Sequence, residues 1–168
     1  MKKIIAVLAA AFMFGVSAFA EGYINANDVP VGEIKTAAPQ EDGFVINGIP
    51  EKGIKIEKNA TKFAGEKFTQ RIKMGGSRLE GETEPKVKIS FPAKKGETIS
   101  VYGKSSSKKD DRVAEIYDAQ GNVVASLPMY ADGTPKTAAQ TFVAPADGTY
   151  AVGSKGSTIY IYKIEVTK

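Results

Sequence analysis

The chain of 168 residues contains no cysteine, no histidine and no tryptophan. Without cysteine there is no disulfide, no thiol nucleophile, no thiolate metal site and no lipidated cysteine. Without histidine the commonest general base and metal ligand are gone, and with them every Ser–His–Asp and Cys–His arrangement. Without tryptophan the strongest flat surface for stacking a sugar or a base is missing. Carboxylates, lysine, tyrosine and serine remain to carry chemistry. Long hydrophobic runs are also scarce. The one near the N-terminus spans Ile4 to Phe19, and no later run approaches the ~18 residues of a spanning helix.

That first run has the features of an export signal. Lys2 and Lys3 precede it, and Ala18-Phe19-Ala20 closes it as a small-residue cleavage pattern. Gly15 and Ser17 interrupt the run, which is too short for a membrane anchor. Residues 1–20 are therefore expected to be a signal peptide. Cleavage after Ala20 leaves 148 residues and, by removing Lys2 and Lys3, lowers the net charge from +4 to +2. A charge of +2 spread along the chain is no footprint for nucleic acid. A cysteine-free exported domain must be held by packing alone, which suits a bacterial periplasm or exterior.

Residues 21–41 are small and polar, with no sustained period, and read as a flexible N-terminal segment. Residues 42–168 read as one all-β domain. Phe44 to Asn47 and Ile54 to Glu57 are short strand candidates. Lys86-Val87-Lys88-Ile89-Ser90-Phe91 alternates at period two, which sends Val87, Ile89 and Phe91 inward. Thr98 to Gly103 repeats the pattern, with Ile99 and Val101 inside and Tyr102 in the opposite phase. Arg112 to Tyr117 and Val123 to Leu127 flank the turn cluster Asp118-Ala119-Gln120-Gly121-Asn122. Gln140 to Ala144, Thr149 to Val152 and Ser157 to Thr167 complete the series. No window holds an apolar period of 3.6. The pattern predicts an antiparallel β-sandwich, jelly-roll-like, of eight or nine strands.

Enzyme chemistry finds little support. Asp110 and Asp111 are adjacent and would diverge on a strand, and Glu80, Glu82 and Glu84 adjoin Gly81 and Pro85 in a loop pattern. Met74-Gly75-Gly76-Ser77 lacks the spacing of a phosphate loop. No cofactor is expected. A structural calcium on oxygens of Asp110, Asp111, Asp118 or Asp132 stays open, with no spaced acidic loop to specify it.

Binding is the better supported class. Seven tyrosines lie beyond the signal, and a tyrosine offers both a ring face and a hydroxyl to a sugar. Most tyrosines on strands serve packing, but the phase of Tyr102 favours exposure. Arg71 and Lys73 share a face of Phe68 to Met74 if that stretch is a strand, and Arg112 begins another. A guanidinium fork suits a uronate carboxylate, against the plainer alternative of a salt bridge within the protein. The expected ligand-binding residues are Arg71, Lys73, Tyr102 and Arg112.

The succession Phe68-Thr69-Gln70-Arg71-Ile72-Lys73-Met74-Gly75-Gly76, Val87 to Phe91 and Ile99 to Ser105 is similar to β-sandwich accessory domains appended to secreted bacterial pectate lyases and related polysaccharide-degrading enzymes. Asp111 to Asn122, Gly148 to Ser154 and Ile159 to Val166 extend the resemblance over residues 60 to 168. It implies a jelly-roll-like sandwich and a carbohydrate-binding role, towards pectin-like acidic glycans among others. It implies no lyase activity, since the catalytic β-helix of those enzymes is absent from this sequence. The expected partner is a polysaccharide or envelope glycan, with no nucleic acid and no transmembrane segment after signal cleavage. A structural or adhesive envelope protein that binds a protein partner is the competing reading.

Overall fold

The period-two segments become strands whose alternate side chains line one interior. The computed structural model describes residues 21–79, 81–82, 85–131 and 138–168. In chain order the strands are β1 (Gly22–Asn25), β2 (Gly32–Ile34), β3 (Ala37–Pro39), β4 (Val45–Asn47), β5 (Ile54–Phe63), β6 (Glu66–Met74) and β7 (Lys88–Ala93). They continue with β8 (Thr98–Ser105), β9 (Arg112–Tyr117), β10 (Val123–Met129), β11 (Gln140–Val143), β12 (Gly148–Ser154) and β13 (Ile159–Thr167). The first sheet runs β11-β8-β13-β6-β5-β2, with β1 also on β13; the second runs β10-β9-β12-β7-β4-β3. Every strand pairing is antiparallel. The all-β sandwich expected from the sequence is what forms.

The interior confirms the phase of the alternation. Val87, Ile89, Ile99 and Val101 are fully buried and Phe91 nearly so. They join Ile46, Ile56, Ile72, Ile116, Val152, Ile161 and Ile164 in one core between the sheets. Each such side chain contributes ~1.5–3 kcal/mol by leaving water, which is how a chain without disulfides is held. Phe63, Phe68 and Tyr162 form a second, smaller cluster, with Tyr102 and Tyr160 packed against it. The Tyr162 ring lies 5.5 Å from Phe63 and 5.3 Å from Phe68. A bulge between Ile161 and Lys163 explains why both phases of Ile159-Tyr160-Ile161-Tyr162 are bulky: it inserts Tyr162 out of register with β8. Strand β13 is central, with β8 on one edge and β6 followed by β1 on the other.

The strand count is thirteen rather than eight or nine, and most of the excess lies where the sequence reading placed a flexible segment. Residues 22–39 carry β1, β2 and β3 and a 3-10 turn over Ala26–Asp28. These strands are three or four residues long, too short to display a period. Three small anchors hold them: Ile24, Ala26 and Val29 all reach the main core. Asn27 fastens the turn to β6. Its Oδ1 accepts from Thr69 N at 2.8 Å, Thr69 Oγ1 at 3.1 Å and Gln70 N at 3.2 Å, and Gln70 Nε2 donates to the Asn27 carbonyl at 2.9 Å. Further along, a Cβ on Gly48 would stand 1.9 Å from the Ile34 carbonyl oxygen, so the end of β2 presses directly on backbone after β4.

Candidate functional site

Pairing register assembles the exposed face of the first sheet. Tyr23 of β1 stands opposite Glu165, Lys163 opposite Tyr102, Tyr160 opposite Lys73, and Arg71 opposite Glu57. Three of the four expected ligand-binding residues, Arg71, Lys73 and Tyr102, therefore share one face. Arg112 belongs to the other sheet. It donates to Ser106 Oγ at 2.6 Å and to the Thr158 carbonyl, tying two connecting loops together.

Three of the cations on this face are matched by carboxylates, while Lys55, opposite Lys73, stays exposed. Arg71 donates to Glu57 Oε2 from Nε at 3.1 Å and from Nη2 at 2.9 Å, and its guanidinium lies 3.8 Å from the Tyr160 ring centroid. Lys73 Nζ reaches Glu57 Oε1 at 3.4 Å. Burial works to raise the pKa of Glu57, but the Arg71 hydrogen bond and the charges of Lys73 and Arg71 outweigh it and hold the carboxyl below its ordinary range. Lys163 Nζ lies 3.4 Å from Glu66 and 3.3 Å from Glu165. Its burial disfavours the ammonium, yet the hydrogen bond and charge of Glu165 and the charge of Glu66 leave its pKa raised. The Tyr102 hydroxyl donates to Glu165 Oε2 at 3.2 Å. Burial and the Glu165 charge push that phenol upward. Arg71, Lys73 and Lys163 thus face Glu57, Glu66 and Glu165, and the cations are already spent. The plainer alternative for Arg71, a salt bridge within the protein, is the geometry found.

Beside this face lies a groove that the sequence reading missed. It encloses ≈ 540 Å³ and is lined by Tyr23, Ile24, Asn25, Asp28, Val29, Pro39, Gln40 and Glu41. Its volume is in the usual range for a small-ligand site. Tyr23 is 49% exposed, the most open aromatic side chain among the large hydrophobics described. The backbone that carries the ring is nonetheless held, because β1 is paired to β13 and Tyr23 N donates to Asp42 Oδ2 at 3.4 Å. Lys163 Nζ lies 5.7 Å from its centroid. The signal that could have found Tyr23 is the couple Tyr23-Ile24: an aromatic residue in the outward phase beside an inward aliphatic one.

The acidic candidates serve local structure. Asp118 Oδ1 accepts from the backbone N–H of Gln120 and Asn122, Asp111 Oδ1 from Ala131 N, and Asp110 Oδ2 from Ser107 Oγ. Asp132, Glu80 and Glu84 lie outside the described residues. No group of three or more metal-ligating side chains occurs among the described residues. No described helix is long and apolar enough to cross a membrane.

No protein-family model matches the chain, and no curated protein matches it. Solved structures with a similar course exist. One comes from work on glycan recognition in the Ruminococcus flavefaciens cellulosome, with 14% identity and a TM-score of 0.48 over 88% of this chain and 93% of that one. Another is the CBM22-1 xylan-binding domain of Paenibacillus barcinonensis Xyn10C, with 11% identity and a TM-score of 0.42 over 90% of this chain and 97% of that one. A third is the catalytic unit of an α-1,3-glucanase from Streptomyces thermodiastaticus, of which the likeness covers 26%, with 9% identity and a TM-score of 0.45. Likenesses this distant carry no functional argument.

Proposed function

We propose that the protein is an exported, non-catalytic carbohydrate binder whose ligand rests on Tyr23 and the groove beside it. The observation that carries this reading is the Tyr23 ring: half exposed, fixed on a paired strand and set at the lip of a ≈ 540 Å³ groove. An aromatic side chain left half open gives up about half of the stability that its full burial would supply. Its ring face and the neighbouring Asn25, Gln40, Asp28 and Glu41 are the groups that take hold of a saccharide.

A second reading keeps the pectin-like, acidic ligand. It is favoured by the convergence of Arg71 and Lys73 on the single carboxylate of Glu57, a geometry that a uronate could occupy. Such a ligand must displace Glu57, so its affinity should fall steeply with salt.

Affinity gels cast with neutral and acidic polysaccharides test both readings. Retardation that is lost in Tyr23→Ala and kept in Arg71→Ala, Tyr102→Ala and Arg112→Ala supports the groove. Loss in Arg71→Ala with retention in Tyr23→Ala supports the acidic face. No retardation on any glycan, with capture of an envelope protein in a pull-down, replaces both with the adhesive reading. Release of unsaturated product from polygalacturonate and calcium would make the protein a lyase.

A further inference from the structure

The groove differs from the face beside it in one chemical respect. Among the described residues its lining contains no lysine and no arginine, but it contains Asp28 and Glu41. Both carboxylates are exposed, and neither has an ion-pair partner among the described residues. The nearby ammonium of Lys163 is held by Glu66 and Glu165. The two amides are partly committed. Asn25 Oδ1 accepts from Asn27 N at 2.9 Å, which leaves its N–H groups to donate, and Gln40 Nε2 donates to the Ala38 carbonyl at 3.0 Å, which leaves its oxygen to accept. The groove thus offers two carboxylates and an amide oxygen as acceptors, one amide as donor, and the Tyr23 ring.

From this set we infer that the groove selects an uncharged, hydroxyl-rich saccharide and rejects uronates; the inference rests on the reading of the groove as the carbohydrate site. Sugar hydroxyls are donors, and an ionised carboxylate is the strongest neutral-sugar acceptor a side chain provides. A uronate carboxylate in the same place meets two like charges, and the nearest ammonium named, Lys163, is already held by Glu66 and Glu165. Each such pair at close range weakens binding by about five- to tenfold in a well-solvated groove. The preference is therefore the reverse of the one implied by Arg71 and Lys73 taken alone.

Calorimetric titration of the full chain with cellohexaose, xylohexaose and hexagalacturonate tests this, with the double variant Asp28→Asn, Glu41→Gln and the single variants Tyr23→Ala and Arg71→Ala in parallel. Circular dichroism melting checks that each variant folds. The expected result is binding of at least one uncharged hexasaccharide more than about tenfold tighter than hexagalacturonate. In the double variant the uncharged ligand should weaken and hexagalacturonate should gain, so that the preference shrinks by about tenfold or more. Hexagalacturonate bound more tightly than both uncharged ligands by the unaltered protein would overturn the inference, and so would a preference unchanged in the double variant. Those outcomes leave the groove as the carbohydrate site provided Tyr23→Ala still abolishes binding. Failure of all three saccharides to bind, or binding indifferent to Tyr23→Ala, overturns the site reading and the inference together.

Discussion

The outer face of the first sheet and the groove next to it share Tyr23, but they resolve their charges in opposite ways. On the face, Arg71, Lys73 and Lys163 are matched by Glu57, Glu66 and Glu165 within 3.4 Å. In the groove, Asp28 and Glu41 have no ion-pair partner among the described residues. A face that satisfies itself gains order and has little left to offer a ligand. A groove that leaves acceptors open keeps its recognition capacity. Arg71, Lys73 and Tyr102, the residues that looked most like a binding site, already have carboxylate partners, while the groove sits on the stretch that showed no pattern.

The largest predicted effect breaks the comparison at its scaffold. Gly48→Ala drives a Cβ to 1.9 Å from the Ile34 carbonyl oxygen and 2.7 Å from its carbon, and backbone cannot swing aside as a side chain can. It should cost more than about 3 kcal/mol and displace the segment carrying β2 and β3, measured by urea unfolding and by faster amide exchange over residues 22–39. Next comes Asn27→Ala, which removes the acceptor shared by Thr69 and Gln70. A loss of about 1–3 kcal/mol is expected, together with weaker glycan binding through loosened groove walls. An unchanged melting temperature would show that the turn is held by Ala26 and Val29 alone.

Arg71→Ala should be milder, about 1 kcal/mol or less, because the pair with Glu57 is partly solvated. Binding to an uncharged glycan should be unaffected. The smallest effect concerns pH. Glu57 has its folded-state pKa lowered, so its contribution is present above the unfolded pKa and is lost as pH falls through the folded one. Melting temperature recorded from about pH 5 down to about pH 3 should fall less steeply for Glu57→Gln than for the unaltered chain. Lys163 has the opposite sign. Its raised pKa makes its contribution complete below the unfolded value and lost at alkaline pH, so it takes no part in the acid limb, which Glu57 shares with Asp118, whose pKa is also lowered.

Most strands from Lys88 onward were legible because they are long enough to show their period or are bounded by glycine, proline or an Asp–Asn turn, whereas only the first four residues of β5 were read as a strand. Arg112 to Tyr117 is the clearest case: the sequence range and β9 coincide. The segment before Pro39 was not legible. Its order comes from three buried side chains and the contacts of Asn27 with Thr69 and Gln70, which are more than forty positions away. No local window contains that information. The site divides in the same way. Sequence phase put Arg71 and Lys73 on one face of their strand and pointed Tyr102 outward on another, but it could not bring the two strands to one face or show that Glu57 sits opposite Arg71 and Lys163 opposite Tyr102, because register between strands sets those partners. Tyr23 was legible only as a tyrosine in a polar stretch, and its value depends on Gln40 and Glu41 closing the groove from another strand end.

The most direct test of the central claim, that glycan contacts the Tyr23 groove and not the charge-matched face, is a residue-resolved NMR titration of the isotope-labelled chain with cellohexaose and xylohexaose. Amide shifts should cluster at Tyr23, Asn25, Asp28, Gln40 and Glu41 while those of Arg71, Lys73 and Tyr160 stay fixed. Shifts centred on Arg71, Lys73 and Tyr102, with the groove residues silent, would contradict it.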